Sequence, residues 1–336
     1  MPASIAHDCS RPVDAAINAW LAHLPAGVTA RFDRNACYGY DGTLLIDDGS
    51  GITVDGQGST FKALTPGTTN RASWRIRGGH DVHLRNMIIR GIGRIVPRGK
   101  QGNGQSTQHG ISFEGVVGAS LTNSEIYDVR GDFVEVQPDI RKGQDYSKLP
   151  PARNITVDRV RMERADRQGL GLTNIDGFLI QNSRISDVSQ VSIDIEIDVV
   201  GEVTRNIRIL DNRFGPVYFA VLSNVPGSAP DAGDVTFSGN IMEAPPDTCY
   251  PAVNVGDTGL PKQGYTITSN TLRTISDAIR LTDVHGGSIT GNKIIYEGNG
   301  ACDNVAFIPP RSVAVRLTQS QVSIVDNKET GYPTRP

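Results

Sequence analysis

The sequence predicts an all-β, single-domain solenoid, a right-handed parallel β-helix of about ten coils. The first observation is a short phrase that returns ten times, in which alternating apolar residues lead to a polar turn residue, usually Asn. The second is its spacing, because successive turn residues lie 22 to 37 residues apart. The third is a composition of 37 Gly and 19 Pro in 336 residues, which suits short strands joined by turns. The phrases are Thr53–Gly56, His83–Asn86, Ser120–Asn123, Thr156–Arg159, Leu179–Asn182, Ile209–Asn212, Thr236–Asn240, Thr266–Asn270, Ser288–Asn292 and Ser323–Asn327.

The N-terminal segment, residues 1–38, is predicted to be a cap on this solenoid. Apolar residues recur at helical spacing from Val13 to Leu24, just before Pro25, which predicts a helix there. A β-helix has two ends with unpaired strand edges, so we expect this helix to close the first one. The cap also contains Cys9, for which we expect a disulfide to Cys37 in the first coil.

A single coil contains three short strands. In the clearest example the strands are 120–122, 125–129 and 133–136, with turns near Asn123 and Gly131. An Asn at the same tight turn of each coil is expected to stack on its neighbours and bond their backbone, and Asn tolerates the left-handed conformation of such a turn. We assign these Asn residues a structural role only. A leucine-rich repeat is excluded, because it needs a denser Leu pattern and helical return segments.

We expect the β-helix to run over residues 39–330, followed by a C-terminal tail at 331–336.

Charge, apolar runs and cysteines indicate which partners and which location the protein has. A net charge of −3 favours neither nucleic acid nor an anionic membrane. No apolar stretch approaches the ~20 residues that span a bilayer, and residues 1–10 lack a signal-peptide core, so the protein is either made without a signal or starts after one. Two disulfides, Cys9–Cys37 and Cys249–Cys302, are expected and would indicate an extracellular destination.

The coil pattern resembles the right-handed parallel β-helix, or pectin-lyase-like, superfamily over essentially the whole chain. Within it, five segments resemble a group found in actinobacteria and their phages, often without assigned function: Asp8–Ser10, Gln108–Gly110, Gly131–Val134, Arg167–Gly169 and Ile193–Glu196. The superfamily includes polysaccharide lyases, glycoside hydrolases, epimerases and phage tail proteins. The resemblance therefore implies contact with a glycan rather than one particular reaction.

One strand of each coil can be aligned across four coils, at 110–114, 133–137, 169–173 and 192–196. Apolar residues at every second place are predicted to point inward, so the residues between them face outward. The outward residues form two columns. One column is Ser112, Glu135, Gly171 and Asp194, and the other is Glu114, Gln137, Thr173 and Glu196.

Carboxylates gather on and beside these columns. Neighbouring carboxylates raise one another's pKa, which is typical of catalytic sites. Gly169 and Gly171 are expected to leave a bare floor between Glu135 and Asp194. The insertions at 91–108 and 139–152 flank this strand, and we expect them to wall a groove. The carboxylates are Asp132, Glu135, Asp194, Glu196 and Asp198.

The coil spacing predicts how far apart the carboxylates are. Adjacent strands lie about 4.8 Å apart, so Glu135 and Asp194, two coils apart, have backbones roughly 10 Å from each other. Side chains leaning toward the glycines would bring the carboxyl groups to about 7 to 9 Å, the range of an inverting glycosidase. We therefore expect Glu135 and Asp194 to be catalytic acid and base, with Asp132 or Glu196 as a further acid or base partner.

Substrate-binding roles are predicted for residues beside the acids, together with Gly169 and Gly171. Arg167 is expected either to neutralise a substrate carboxylate or to hold Asp132 ionised, and a purely structural ion pair is the alternative. Gln168 suits hydroxyl recognition. His109 is either a proton shuttle or a turn residue without a catalytic role.

Three functions are compatible with this pattern. The leading one is a glycoside hydrolase without cofactor. The second is a lyase or epimerase acting on a uronic-acid glycan, with Ca²⁺ held by the same carboxylates and Arg167 as a candidate base. The third is a non-catalytic phage tail or cell-surface protein that binds glycan. No other metal site is predicted, because His80 and His83 have no third ligand.

The expected partner in each case is a polysaccharide or oligosaccharide, with no nucleic acid and no membrane insertion. The protein is predicted to be a monomer or a homotrimer. We expect it to be secreted or otherwise extracellular, or to be part of a virion.

Overall fold

The computed structural model describes residues 2, 4–68, 70–93, 99, 107–143, 145–197, 201–224, 232–256, 261–298, 302 and 312–332. Within them the chain forms stacked β-coils, and neighbouring coils pair through parallel strands. The predicted parallel β-helix is confirmed. Asp198, most of the insertion at 91–108 and the end of the tail lie outside the described residues.

One face of the solenoid is a ten-stranded sheet with one short strand from each coil, which confirms about ten coils. Its strands are Leu44–Asp47, Trp74–Arg77, Ile111–Glu114, Val134–Gln137, Leu170–Thr173, Ile193–Glu196, Leu222–Asn224, Val253–Val255, Ile279–Thr282 and Val315–Thr318. We call this the short-strand sheet.

The other two faces are covered by one continuous sheet of 19 strands. It wraps two faces because its longer strands bend at residues with positive φ, for example Asn123 at 48° and Arg159 at 54°. Its strands are Asp8–Pro12, Thr29–Arg31, Cys37–Tyr40, Thr53–Ala63, His83–Arg90, Ser120–Val129, Ala152–Ala165, Ile175–Gln181, Arg184–Val188, Thr204–Leu210, Arg213–Phe214, Ala232–Ser238, Ile241–Met242, Lys262–Thr268, Thr271–Thr274, Val284–Thr290, Lys293–Tyr296, Gln321–Val325 and Lys328–Thr330.

The core lies inside the coils, where apolar side chains stack from one rung to the next. The eight residues predicted to point inward from the aligned strands all have no exposed surface, which confirms the predicted alternation. They are Ile111, Phe113, Val134, Val136, Leu170, Leu172, Ile193 and Ile195.

The cap helix is shorter than predicted and spans Asp14–Leu21. The residue before a proline avoids the helical conformation, and the chain leaves the helix after Ala22, ahead of Pro25. Ile17 and Leu21 are buried against the first coils. Within the described residues, no helix is long and apolar enough to cross a membrane.

Both predicted disulfides are present, Cys9–Cys37 and Cys249–Cys302. The first joins two neighbouring strands, because Asp8–Pro12 pairs with Cys37–Tyr40. The segment predicted as a cap therefore also supplies strands to the long sheet. The insertion at 139–152 contains two short 3₁₀ helices, Ile140–Lys142 and Tyr146–Lys148.

The Asn residues of the repeated phrase occupy two different positions of the turn, although the sequence pattern aligned them at one position. Asn123 and Asn182 occupy a left-handed position, with φ of 48° and 51°. From Asn212 onward the Asn lies one place later, is largely buried, and bonds the next coil, as where Asn240 Nδ2 lies 3.1 Å from Asn270 Oδ1. Among the earlier coils this second position is Ser in some, such as Ser124 and Ser183, and apolar in others, such as Val160. Ser183 Oγ accepts the Val160 N–H at 3.0 Å. The ladder of buried Asn therefore belongs to the C-terminal half.

Candidate active site

The register of the short-strand sheet places the predicted carboxylates on neighbouring rungs. Glu135 pairs with Ser112 on one side and Gly171 on the other, and Gly171 pairs with Asp194. Glu196 pairs with Thr173 in the second column. Both predicted columns are therefore present, with Glu135 and Asp194 two rungs apart.

These outward columns are more buried than the sequence suggested. Ser112 and Glu114 have no exposed surface, and the side chains of Glu135 and Glu196 are only 19% and 24% exposed. Glu114 forms an ion pair with Arg75, whose Nε lies 2.7 Å from Oε1. Carboxylates that are buried to this extent interact strongly with neighbouring charges, unlike solvated surface acids.

Two contacts show where described parts of the insertions lie. Tyr146 of the insertion at 139–152 donates from its hydroxyl to Gln137 Oε1 at 3.3 Å. In the other insertion, the Gly99 N–H donates to the Ser189 carbonyl at 3.1 Å. The first contact lies at the end of one short strand and the second lies ahead of the start of another. A groove between the two insertions stays a prediction.

Asp132 lies at the turn before its strand and is completely buried. Its Oδ1 accepts the backbone N–H of Gln168 at 2.9 Å, and its Oδ2 accepts Arg167 Nη1 at 2.7 Å. Arg167 also donates from Nη2 to Glu196 Oε1 at 2.8 Å. The Arg167 ion pair with Asp132 is thus present, and it extends to Glu196.

Arg167 is a permanent cation in this arrangement. The charge of Asp132, joined by that of Glu196, raises the pKa of Arg167 further above its ordinary value. A cation that holds its proton this firmly is suited to holding carboxylates in place or to attracting an anionic substrate group. The candidate role of Arg167 as a lyase base stays a prediction.

His109 lies between Asp132 and Glu135 and is 2% exposed. Its Nε2 is 3.2 Å from Glu135 Oε1, and its Nδ1 is 3.1 Å from the backbone N of Asp132 and 3.4 Å from Asp132 Oδ2. Burial lowers the pKa of His109, but the charges of Glu135 and Asp132 outweigh burial and raise that pKa to about 10. In either protonation state Nε2 carries a proton that faces Glu135. His109 is therefore a partner of Glu135 and not merely a turn residue.

Glu135 is held in its ionised form. Burial raises the pKa of Glu135, but the charge and hydrogen bond of His109 and the Ser112 hydroxyl, 2.9 Å away, lower it to about 2. The carboxylate leans toward Ser112 and His109, away from Gly171. The prediction that this side chain leans toward the glycines is therefore wrong.

Asp194 has the opposite tendency. Burial, assisted by the negative charge of Glu196, raises the pKa of Asp194 to about 8. Its Oδ2 accepts a hydrogen bond from Gln168 Nε2, which also donates to Glu196 Oε1 at 2.7 Å. Asp194 thus leans back toward the rung of Gly171 and retains its proton at neutral pH. Two acids two rungs apart therefore have pKa values displaced in opposite directions, which is how acid and base roles are separated in enzymes.

Of the two glycines expected to form a bare floor, only Gly171 faces outward, and it is not bare. A Cβ at Gly171 would lie 3.0 Å from Asp132 Oδ2 and 3.1 Å from Gln168 Oε1, so the side chains of its neighbours already cover this glycine. A Cβ at Gly169 would instead meet the Ser192 carbonyl oxygen at 2.3 Å and Ile185. Gly169 permits close packing between coils and does not face the groove.

Sequence reasoning missed Ser223 as a neighbour of the acid. Ser223 pairs with Asp194 on the next rung, and its hydroxyl bonds that carboxyl group. Extending the outward column by one more rung would have found it. Within the described residues, no group of three or more His, Cys, Asp or Glu side chains is arranged to hold a metal ion.

The fold and the site define a parallel β-helix with a largely buried cluster of acids on one face. Among solved structures, the chain is similar to the Agl-KA catalytic domain, with a TM-score of 0.67, 12% identity, and coverage of 98% of this chain and 66% of that one. It is also similar to endo-xylogalacturonan hydrolase from Aspergillus tubingensis, with a TM-score of 0.63, 11% identity, and coverage of 97% and 91%.

A third similar structure is a tailspike protein of Escherichia coli bacteriophage HK620 in complex with pentasaccharide, with a TM-score of 0.56 and 11% identity. The alignment covers 97% of this chain and 64% of the tailspike, so the chain spans only about two thirds of the tailspike and of the Agl-KA domain. No protein-family model and no curated protein matches the chain. The similarity thus establishes the shared parallel β-helix fold.

Proposed function

We propose that this protein is a glycoside hydrolase in which Asp194 is the general acid and Glu135 the general base. The observation that carries the proposal is the opposite displacement of their pKa values, about 8 for Asp194 and about 2 for Glu135, on rungs that flank Gly171. At neutral pH one group therefore has a proton to donate while the other is ready to accept one.

The proposal includes inversion at the anomeric carbon. Two rungs separate the backbones by roughly 10 Å, which is too far for the ~5 Å of a retaining pair. In this mechanism a sugar residue lies between Glu135 and Asp194. Asp194 protonates the leaving oxygen, and Glu135 takes a proton from the water that attacks the opposite side of the ring.

The surrounding residues support this chemistry without taking part in bond changes. His109 and Ser112 hold the Glu135 carboxylate in position. Gln168 orients Asp194, and Arg167 fixes Asp132 and Glu196, which lie on either side of the rung of Gly171. This fixed geometry keeps the acid and base on their two rungs before substrate arrives.

Similar proteins support a glycan as the substrate. One of them is a hydrolase of xylogalacturonan, and another was crystallised with a pentasaccharide. Two disulfides favour an extracellular or virion-associated setting. The proposal needs no cofactor, and the choice between monomer and homotrimer stays a prediction.

A panel of plant, fungal and bacterial polysaccharides tests the proposal. The wild type is expected to release reducing ends from at least one of them, with inverted anomeric configuration in the first product seen by NMR. Asp194→Asn should release them about 10²–10⁴-fold more slowly, whereas Asp326→Asn, which removes a carboxylate from an exposed turn, should match the wild type.

Other products would contradict the proposal. An unsaturated, ultraviolet-absorbing product that disappears with chelator would identify a Ca²⁺-dependent lyase. Tight retention of a polysaccharide without any cleavage would identify a binding protein. An unchanged rate in Asp194→Asn would remove Asp194 from the mechanism.

A further inference from the structure

We infer that Phe219 and Tyr250 form a sugar-stacking subsite beside the groove, so that the protein binds a glycan extended along the solenoid axis over several coils. The inference rests on the proposed function in one respect, namely that the glycan occupies the groove of Glu135 and Asp194. It adds the direction of the chain and a second point of contact.

The outward column continues past the acid toward the C-terminal coils. Ser223 pairs with Asp194, and Asn254 pairs with Ser223. Both are polar side chains suited to bonding sugar hydroxyls. The floor of the groove therefore continues for two rungs beyond Asp194.

Aromatic rings lie at the edge of these two rungs. The backbone N–H of Phe219 bonds the Gln190 carbonyl, and the N–H of Gln190 bonds the Arg167 carbonyl, so Phe219 continues the row that begins with Arg167. Arg167 reaches from this row over the sheet to Glu196. The Phe219 and Tyr250 rings are in contact, with centroids 5.0 Å apart and planes at 68°.

Tyr250 is exposed although its backbone is firmly held. The residue is 48% exposed, the largest exposure among the large hydrophobic residues described. The Ser276 hydroxyl donates to the Tyr250 carbonyl at 2.9 Å, and the preceding residue is Cys249 of the second disulfide. An aromatic ring fixed in this way loses little conformational entropy when a ligand covers it.

A sugar is the ligand that fits this surface. One face of a pyranose ring presents C–H groups, which pack on an aromatic ring, while its hydroxyls reach polar neighbours such as Asn254. The rungs repeat every 4.8 Å or so, close to the length of one sugar residue. A glycan that is cleaved between Glu135 and Asp194 therefore reaches Phe219 and Tyr250 a few sugar residues along, provided that it runs toward the C-terminal coils.

The test measures binding on the inactive background Asp194→Asn. The probe is an immobilised panel of plant, fungal and bacterial polysaccharides that includes xylogalacturonan and α-1,3-glucan. Adding Tyr250→Ala is expected to weaken binding of the retained polysaccharide roughly tenfold or more. Tyr250→Phe, which keeps the ring, should bind as the parent does, and Val117→Ala, at a remote exposed position, serves as the surface control.

Chain length gives a second readout. If the wild type cleaves, Tyr250→Ala should raise KM for long oligosaccharides and leave kcat, and also the rate on the shortest substrate, unchanged. Equal binding by the Tyr250→Ala protein, or no retained polysaccharide at all, would overturn the inference. Binding that depends on Tyr250 without cleavage by the wild type would support the subsite while contradicting the hydrolase, so the two proposals fail separately.

Discussion

Two clusters of charged side chains lie beside the short-strand sheet, one around Asp132 and one around Asp277. They share the same backbone contacts but differ in which charged residues they contain. Asp132 and Asp277 occupy the same place in their coils, three residues before the outward residues Glu135 and Arg280, and both are completely buried. Each carboxylate accepts the backbone N–H at the matching position of the next coil. Asp132 accepts it from Gln168 at 2.9 Å, and Asp277 accepts it from Val313 at 2.9 Å.

The clusters differ in the outward column. Beside Asp132 the column continues through Glu135, Gly171 and Asp194, whereas beside Asp277 it continues from Arg280 to Arg316. Both arginines donate to Asp277, with Arg280 Nη2 at 3.0 Å and Arg316 Nε at 2.6 Å. The second cluster therefore has more arginines than carboxylates, and the first has more carboxylates than cations.

This comparison separates a structural role from a chemical one. An Asp that bonds the same backbone position in both clusters joins one coil to the next wherever it occurs. We therefore expect Asp132 to position Arg167 and the Gln168 backbone, and the predicted catalytic role of Asp132 stays untested. The groups specific to the first cluster are Glu135, Gly171 and Asp194, and these are the candidates for chemistry.

The largest expected effect is on turnover. Asp194→Asn and Glu135→Gln each remove a proton-transfer group and should reduce kcat about 10²–10⁴-fold on a polysaccharide that the wild type cleaves. Asp277→Asn breaks a buried ion pair and should lower the free energy of unfolding by about 2 kcal/mol with kcat unchanged. Steady-state kinetics and urea unfolding measure the two effects. A loss of kcat in Asp277→Asn that matches Asp194→Asn would mean that the clusters do not differ in function.

The two outward columns could be predicted because residues alternate strictly along each strand. In the strand Ile193–Glu196, once the apolar residues are assigned to the core, Asp194 and Glu196 must face outward. The same pattern cannot report what covers the outward side. The burial of Glu114 depends on Arg75, which is 39 positions earlier in the chain and enters the site only through the register of the sheet.

Other details depend on local geometry that residue types do not reveal. Gly169 and Gly171 look alike in sequence. Only their surroundings in the fold show that Gly169 packs against the Ser192 carbonyl, whereas Gly171 lies beneath the Asp132 and Gln168 side chains. The direction of the Glu135 side chain is set by His109 and Ser112, which contact its carboxylate on the side away from Gly171. Such side-chain directions depend on neighbours that only the folded structure brings together.

A smaller effect is expected from filling the floor. Gly171→Ala adds a methyl group about 3.0 Å from Asp132 Oδ2 and 3.1 Å from Gln168 Oε1, so it displaces the side chains that position Arg167 and Asp194. We expect kcat/KM to fall roughly 10- to 100-fold with little change in stability. Arg316→Ala, at the matching position of the second cluster, should leave kcat/KM unchanged and lower the melting temperature instead. Steady-state kinetics and thermal unfolding of both variants measure these effects. A loss of kcat/KM in Arg316→Ala, with kcat/KM unchanged in Gly171→Ala, would contradict the prediction.

The smallest effect concerns pH and follows from the charges around Asp194. Because the acid must be protonated, kcat/KM of the wild type should fall as pH rises through about 8, whereas ionised Glu135, with a pKa of about 2, gives no loss above mildly acidic pH. Glu196→Gln removes a negative charge that raises the pKa of Asp194, so the alkaline limb should move to lower pH by roughly one unit. Arg280→Gln alters the second cluster only and should leave the limb in place. A limb that stays fixed in Glu196→Gln would show that Asp194 is not the group that titrates.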